Sequence, residues 1–253
     1  MKGLDDICLN YISKTKQIFF KPKTFPVSYK IIYPKNKTQK AIFFFHGWGT
    51  NSKKFIYLAE KFRQDYAIVL FDYPKETVSD DTKKTIDYFN NVLSEAISAK
   101  NKLERIGVKD INFFGVSLGG YIAIYLANKI EVQKVYLCVT GDRLSETFWT
   151  GISGRDIKNS LIKKNYNLKR LIEEWKSLEP CNNLENLEKT KIFMRLSEND
   201  KLVLFRLQEN LMKKIAEKDI SLETTNEKYF GHYITIVNTL LDYRTAKRFF
   251  END

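Results

Sequence analysis

Residues 113–121 read F-F-G-V-S-L-G-G-Y. An apolar run enters the segment, Ser117 sits between Gly115 and Gly119, and a small-residue helical pattern leaves it. Glycine tolerates backbone torsions that other residues cannot, so two of them around one serine point to a tight, strained turn. The G-x-S-x-G spacing, with a strand before and a helix after, is the pattern that lifts a serine oxygen above a sheet edge. Ser117 is therefore the candidate nucleophile. The amide that follows, Leu118 N–H, opens the helix, where partial positive charge favours a developing oxyanion.

Outward from this turn, β-branched and aromatic runs alternate with helical periodicity. Residues 27–33 (V-S-Y-K-I-I-Y) alternate and suit a half-exposed edge strand. Residues 41–45, 67–71, 111–114 and 134–139 are near-continuous apolar runs, as parallel strands covered on both faces require. Residues 191–196 and 221–225 complete the strands. Helical spacing marks 52–63, 82–102, 118–129, 202–218 and 233–250. The alternation predicts an α/β fold with a mostly parallel sheet, as a single domain over residues 1–253. Residues 142–189 break the pattern: no strand is legible there, and a helical stretch at 167–178 is followed by Pro180. This is too long for an ordinary connection and reads as an inserted helical cap.

Composition narrows the class. The net charge is +11, but the lysines are spread along the chain and no nucleic-acid motif accompanies them. No nucleic-acid partner is expected; a carrier of acidic character would suit the charge. No apolar run reaches the ~20 residues of a membrane span, and the N-terminus lacks a secretory pattern, so a cytoplasmic protein is expected. Three scattered cysteines, Cys8, Cys138 and Cys181, form neither a disulfide framework nor a zinc motif. Cys138, inside V-Y-L-C-V, reads as a buried small hydrophobe. Residues 1–16 could form a short helix or an arm.

A serine nucleophile needs a base, and histidine titrates near neutrality. The chain has two, His46 and His232. His232, in F-G-H-Y between the last strand and the last helix, is the candidate base. An acid must orient it: Asp200, in E-N-D-K-L-V after the strand at 191–196, is preferred to Glu198 and Asp142. His46-Gly47-Trp48-Gly49 follows the strand at 41–45 and can offer a second amide, Trp48 N–H, to an oxyanion; His46 is then a loop-bonding residue.

These four motifs, H-G-W-G, G-V-S-L-G-G, E-N-D-K-L-V and G-H-Y, occur in an order that resembles the α/β-hydrolases. The resemblance covers about residues 27–250 and implies a catalytic triad of Ser117, Asp200 and His232, with an oxyanion hole at Trp48 and Leu118. It implies a serine hydrolase of esterase or thioesterase type with no metal or organic cofactor, acting on a small-molecule or carrier-bound acyl substrate. Residues 142–189 resemble the family's cap, and Tyr121, Phe148 and Trp149 are candidate pocket residues, with Ile152, Leu161 and Leu171 beside them. Amide or carbon–carbon hydrolysis on the same triad, and a non-catalytic binding role on this fold, are the competing readings.

Overall fold

The computed structural model describes residues 27–252, so the stretch at 1–16 lies outside it. Seven strands form one sheet: β1 (Ser28–Ile32), β2 (Lys40–Phe45), β3 (Ala67–Asp72), β4 (Asp110–Val116), β5 (Lys134–Cys138), β6 (Lys191–Ser197) and β7 (Leu222–Glu227). Their order is β1-β3-β2-β4-β5-β6-β7. Only β1 is antiparallel, and it runs at an edge beside β3. The other pairings are parallel, so the loops leaving β2 and β4–β7 all open on one edge of the sheet.

Alternation along each strand divides the core in two. Phe43, Phe45, Phe71 and Phe113 face one way, into the cluster that also holds α2 (Thr82–Glu104) and α3 (Leu118–Ala127). Ile42, Phe44, Leu70 and Phe114 face the other way, with α1 (Ile56–Phe62) and the C-terminal α9 (Tyr243–Glu251). Side chains on both faces are buried, which explains why these strands read as unbroken apolar runs.

Between β5 and β6 lie only helices: α4 (Leu144–Thr150), α5 (Arg155–Lys163), α6 (Leu168–Glu174) and short 3-10 turns. They pack through Phe148, Leu161, Leu171 and Trp175 onto the same cluster as α3. The Trp175 indole N–H donates to Thr82 O at 3.2 Å, and Lys164 pairs with Asp80 at 2.7 Å, so α2 and the loop before it hold this segment.

Several helices are shorter than their periodicity suggests. The stretch 52–63 begins as a 3-10 turn, Ser52–Phe55, before α1. There Asn51 accepts from Lys53 N, while Asp72 binds Ser52 through both its N–H and its hydroxyl, tightening the first turn. The helix expected at 202–218 starts only at α7 (Phe205–Glu217), and that at 167–178 ends at Glu174 with a 3-10 turn after it. The stretch 233–250 is two helices, α8 (His232–Leu241) and α9. Asp242 breaks them: its carboxylate accepts from Thr245 N to cap α9 and also pairs with Arg195 at 2.7 Å.

Candidate active site

The turn after β4 has the strain that its glycines suggest. Ser117 sits at φ 52°, ψ −121°, a conformation that a non-glycine residue holds only when its surroundings impose it. Gly119 is obligatory here, because a Cβ would collide with the Phe45 carbonyl at the end of β2. That closeness brings the H-G-W-G loop against the serine: a Cβ at Gly47 would lie 3.5 Å from Ser117 Cβ. β2 and β4 are neighbours whose connections leave in opposite directions, the topological switch point where α/β sheets open a crevice.

His232 is the first residue of α8, two strands beyond β5, yet its Nε2 lies 3.1 Å from Ser117 Oγ. Its Nδ1 lies 2.7 Å from Asp200 Oδ2. Asp200 is held in turn, since its Oδ1 accepts from Leu202 N at 2.8 Å and Val203 N at 2.9 Å. All three residues thus form one hydrogen-bonded chain. The competing acids lie elsewhere: Glu198 accepts from Asn226, and Asp142 pairs with Arg143 and Lys214.

The second histidine does different work. Tyr73 N–H donates to His46 Nε2 at 3.4 Å, so Nδ1 carries the proton and donates to Gly47 O at 2.9 Å. Burial lowers the His46 pKa to about 4 and keeps the ring neutral. Tyr73 stacks on the ring at 3.9 Å and its hydroxyl donates to His46 O. The loop that carries Trp48 N–H is therefore tied through His46 to Tyr73. Leu118 N–H is among the first helical amides, which have no intrahelical acceptor.

A cavity of about 260 Å³ opens over Ser117 and His232. Trp48, Leu118, Tyr121 and Phe148 line it, as does Thr147. Tyr121 accepts from Gly141 N at 3.1 Å, and its hydroxyl and that of Thr147 share a hydrogen bond at 2.6 Å. Phe148 meets the Trp48 ring edge-on at 5.1 Å, joining α4 to the H-G-W-G loop. Trp149 is not in the lining, which corrects the expectation for it. Neighbours on a helix point about 100° apart, so with Phe148 inward Trp149 turns out, its ring facing Lys158 Nζ at 5.6 Å. Ile152 is exposed, and Leu161 and Leu171 are wholly buried in the core. Cys138 is buried too, its thiol pushed up to about 12. Among the described residues, no cluster of three or more His, Cys, Asp or Glu could hold a metal ion, and no helix is long and apolar enough to cross a membrane.

The sequence matches the alpha/beta hydrolase fold family over residues 40–243, most of its length. The chain belongs to that family. Among solved structures, this hydrolase-fold chain is similar to an acylaminoacyl peptidase of Pyrococcus horikoshii, with TM-score 0.71 and 16% identity. The alignment covers 92% of this chain but only 40% of that one. A lipase-esterase related protein from Clostridium acetobutylicum aligns at TM-score 0.59 and 21% identity, covering 89% of this chain and all of the other (100%). Acetyl xylan esterase 1 from Thermoanaerobacterium aligns at 0.62 and 14%, covering 86% and 79%. A search of curated proteins gives no match.

Within this hydrolase fold, three polar residues that the motifs do not include support the site. Gln208, wholly buried on α7, accepts from Ser197 N at 3.0 Å and donates to Val203 O at 2.7 Å and Asp200 Oδ2 at 3.3 Å. It interrupts the apolar stripe Leu204, Leu207, Leu211, Ile215, which is the signal that could have found it. Arg195 on β6 reaches Glu227 at 3.4 Å and Asp242 at 2.7 Å, clamping both ends of the segment that carries His232.

Glu179 is the third. It is wholly buried and accepts from Leu144 N, Ser145 N and the Ser145 hydroxyl at the start of α4. Burial raises its pKa from 4.5 to about 7. Between those values the folded chain holds a proton that the unfolded chain has lost, so this stability drains away as pH rises. His46 runs the other way: between 6.5 and about 4 only the unfolded chain takes up its proton, so stability drains away as pH falls. The two slopes oppose each other across the same window. Glu179→Gln removes one of them, and the variant should lose about 2 kcal/mol more than wild type between pH 7.5 and 5. Urea unfolding at those pH values measures it; parallel slopes would mean that Glu179 is ionised throughout.

Proposed function

We infer that the protein is a serine hydrolase that cleaves a carboxylic ester or thioester through an acyl-enzyme. The observation that carries this reading is the hydrogen-bonded chain from Ser117 Oγ through His232 (3.1 Å) to Asp200 (2.7 Å), set at the floor of a largely apolar cavity. Ser117 Oγ attacks the acyl carbon while His232 Nε2 takes its proton. Asp200 accepts from Nδ1–H and stabilises the imidazolium. Trp48 and Leu118 amides receive the negative charge on the carbonyl oxygen. His232 then returns the proton to the departing alcohol or thiol. Water, deprotonated by the same nitrogen, releases the acid and restores the serine. Helices α4–α6 act as the cap of the site, with Phe148 and Thr147 as its contribution to the cavity wall.

Labelling with a fluorophosphonate followed by peptide mapping tests the nucleophile. The adduct is expected on Ser117, in a wild type that also hydrolyses p-nitrophenyl acetate. A folded protein that takes no label would point instead to a binding protein on this fold.

Amide cleavage is the second reading. It draws on the likeness to an acylaminoacyl peptidase, and p-nitroanilides run beside the esters separate the two. The charge of +11 suits delivery of the acyl group by an acidic carrier. On that account, turnover of carrier-bound but not free substrate falls steeply with added salt.

A further inference from the structure

Helix α8 buries polar residues and leaves several apolar ones only half-covered. The positions that turn inward are polar: His232, Thr235 and Thr239 are buried. Its apolar positions are more open: Val237 is 39% and Leu241 62% exposed, and Tyr233, Ile236 and Leu240 are half-covered, the last two partly against the core cluster of Ile42 and Phe44. Amphipathic helices put the apolar stripe against the core, so a half-covered one calls for an occupant.

The cavity over Ser117 says where the occupant lies. Its lining divides, by the elements that supply it, into two lobes beside Ser117 and His232. One, beneath the cap, includes hydroxyls from Tyr121, Thr147 and Ser153. The other comes from α8, with Tyr233, Ile236, Val237 and Leu240, and from the 3-10 turn, with Lys54 and Phe55. Apart from the Lys54 amine and the Tyr233 hydroxyl, the side chains of this second lobe are hydrocarbon or aromatic. From His232 to Leu240 the helix rises ~12 Å. An apolar wall of that length beside the nucleophile matches an unbranched alkyl chain.

Building on the serine hydrolase reading, we propose that the α8 lobe binds a linear hydrocarbon chain of the ester, with Ile236 along its side and Leu240 at its end setting the length accepted. The chain belongs either to the acid or to the alcohol half of the substrate, and two substrate series tell these apart: p-nitrophenyl esters from acetyl to decanoyl, and acetate esters of alcohols from ethanol to decanol. Leu240→Trp shortens the lobe and Leu240→Ala lengthens it. In Leu240→Trp the ratio of kcat/KM for the eight-carbon to the two-carbon member should fall ~10-fold or more in one series. In Leu240→Ala the optimum of that same series should move to longer chains. A shift in the first series assigns the lobe to the acyl chain, and one in the second to the alcohol. If wild type turns over both series and neither variant alters either profile, the proposal fails while the hydrolase reading stands.

A binding measurement makes the test independent of turnover. Calorimetric titration of Ser117→Ala with octanoate and octanol should detect at least one of them, and adding Leu240→Trp should weaken it ~10-fold or more. Absence of binding by both, in a protein whose wild type takes the fluorophosphonate, overturns the proposal. So does a sedimentation result in which the α8 face pairs two copies of the chain, with Leu241→Asp dissociating them and chain-length preference unchanged.

Discussion

Ser117→Ala should lower ester turnover by ~10³-fold or more, with KM changed far less. The alanine keeps the cavity, the loop carrying Trp48 and the start of α3, so substrate binding survives while the attacking oxygen is gone. His232→Ala should cost about as much, because Ser117 then has no acceptor for its proton. The double variant should be no worse than the poorer single one, since residues that act as a unit lose their effect together. Steady-state kinetics on a short p-nitrophenyl ester, with folding checked by circular dichroism, measures all three. A Ser117→Ala protein retaining near wild-type turnover would move the nucleophile elsewhere.

Gln208→Leu should be the most damaging change away from the reacting atoms. It is close in volume, so it leaves no large cavity. What it removes is the set of hydrogen bonds made by one buried amide, to Ser197 N, Val203 O, Asp200 Oδ2 and, at 3.5 Å, Ser197 O. Each buried group stranded without a partner costs ~1–3 kcal/mol, so about 3 kcal/mol or more of stability should be lost. Chemical denaturation measures that. A functional loss should accompany it, because Asp200 then keeps only its two backbone donors and His232 as anchors. At a temperature where the variant is fully folded, kcat should fall with KM little changed. Gln208→Glu keeps the reach but sets a carboxyl against the Asp200 carboxylate; a loss of activity there that recovers at lower pH would identify orientation of Asp200, rather than packing, as the role. A Gln208→Leu variant as stable and as active as wild type would refute the account.

Much of this was legible in short stretches of chain. Gly115, Gly119 and Ser117 announce a strained turn because few other residues could stand there, and the positive φ at Ser117 bears that reading out. Unbroken apolar runs announce buried parallel strands because both faces of the sheet are covered. Helix ends were harder to read. Asp242 splits the last helical stretch by capping α9 through Thr245 N, and its carboxylate also pairs with Arg195, forty-seven residues earlier. Trp149 and Phe148 are equivalent by composition, and only the seating of α4 turns one into the cavity and the other to Lys158.

The sequence by itself determined which residues could be nucleophile, base and acid, and that they follow strands of a mostly parallel sheet. Those are local properties, dictated by torsional freedom, periodicity and the chemistry of single side chains. Tertiary structure brought Asp200, the acid already preferred from the sequence, to His232, and it alone decided that Gln208 and Arg195 steady the partners and that apolar residues of α8 line the cavity. These depend on how distant segments pack. A polar residue on an apolar stripe, or an apolar one facing outward, has no readable purpose until the segment it meets is beside it.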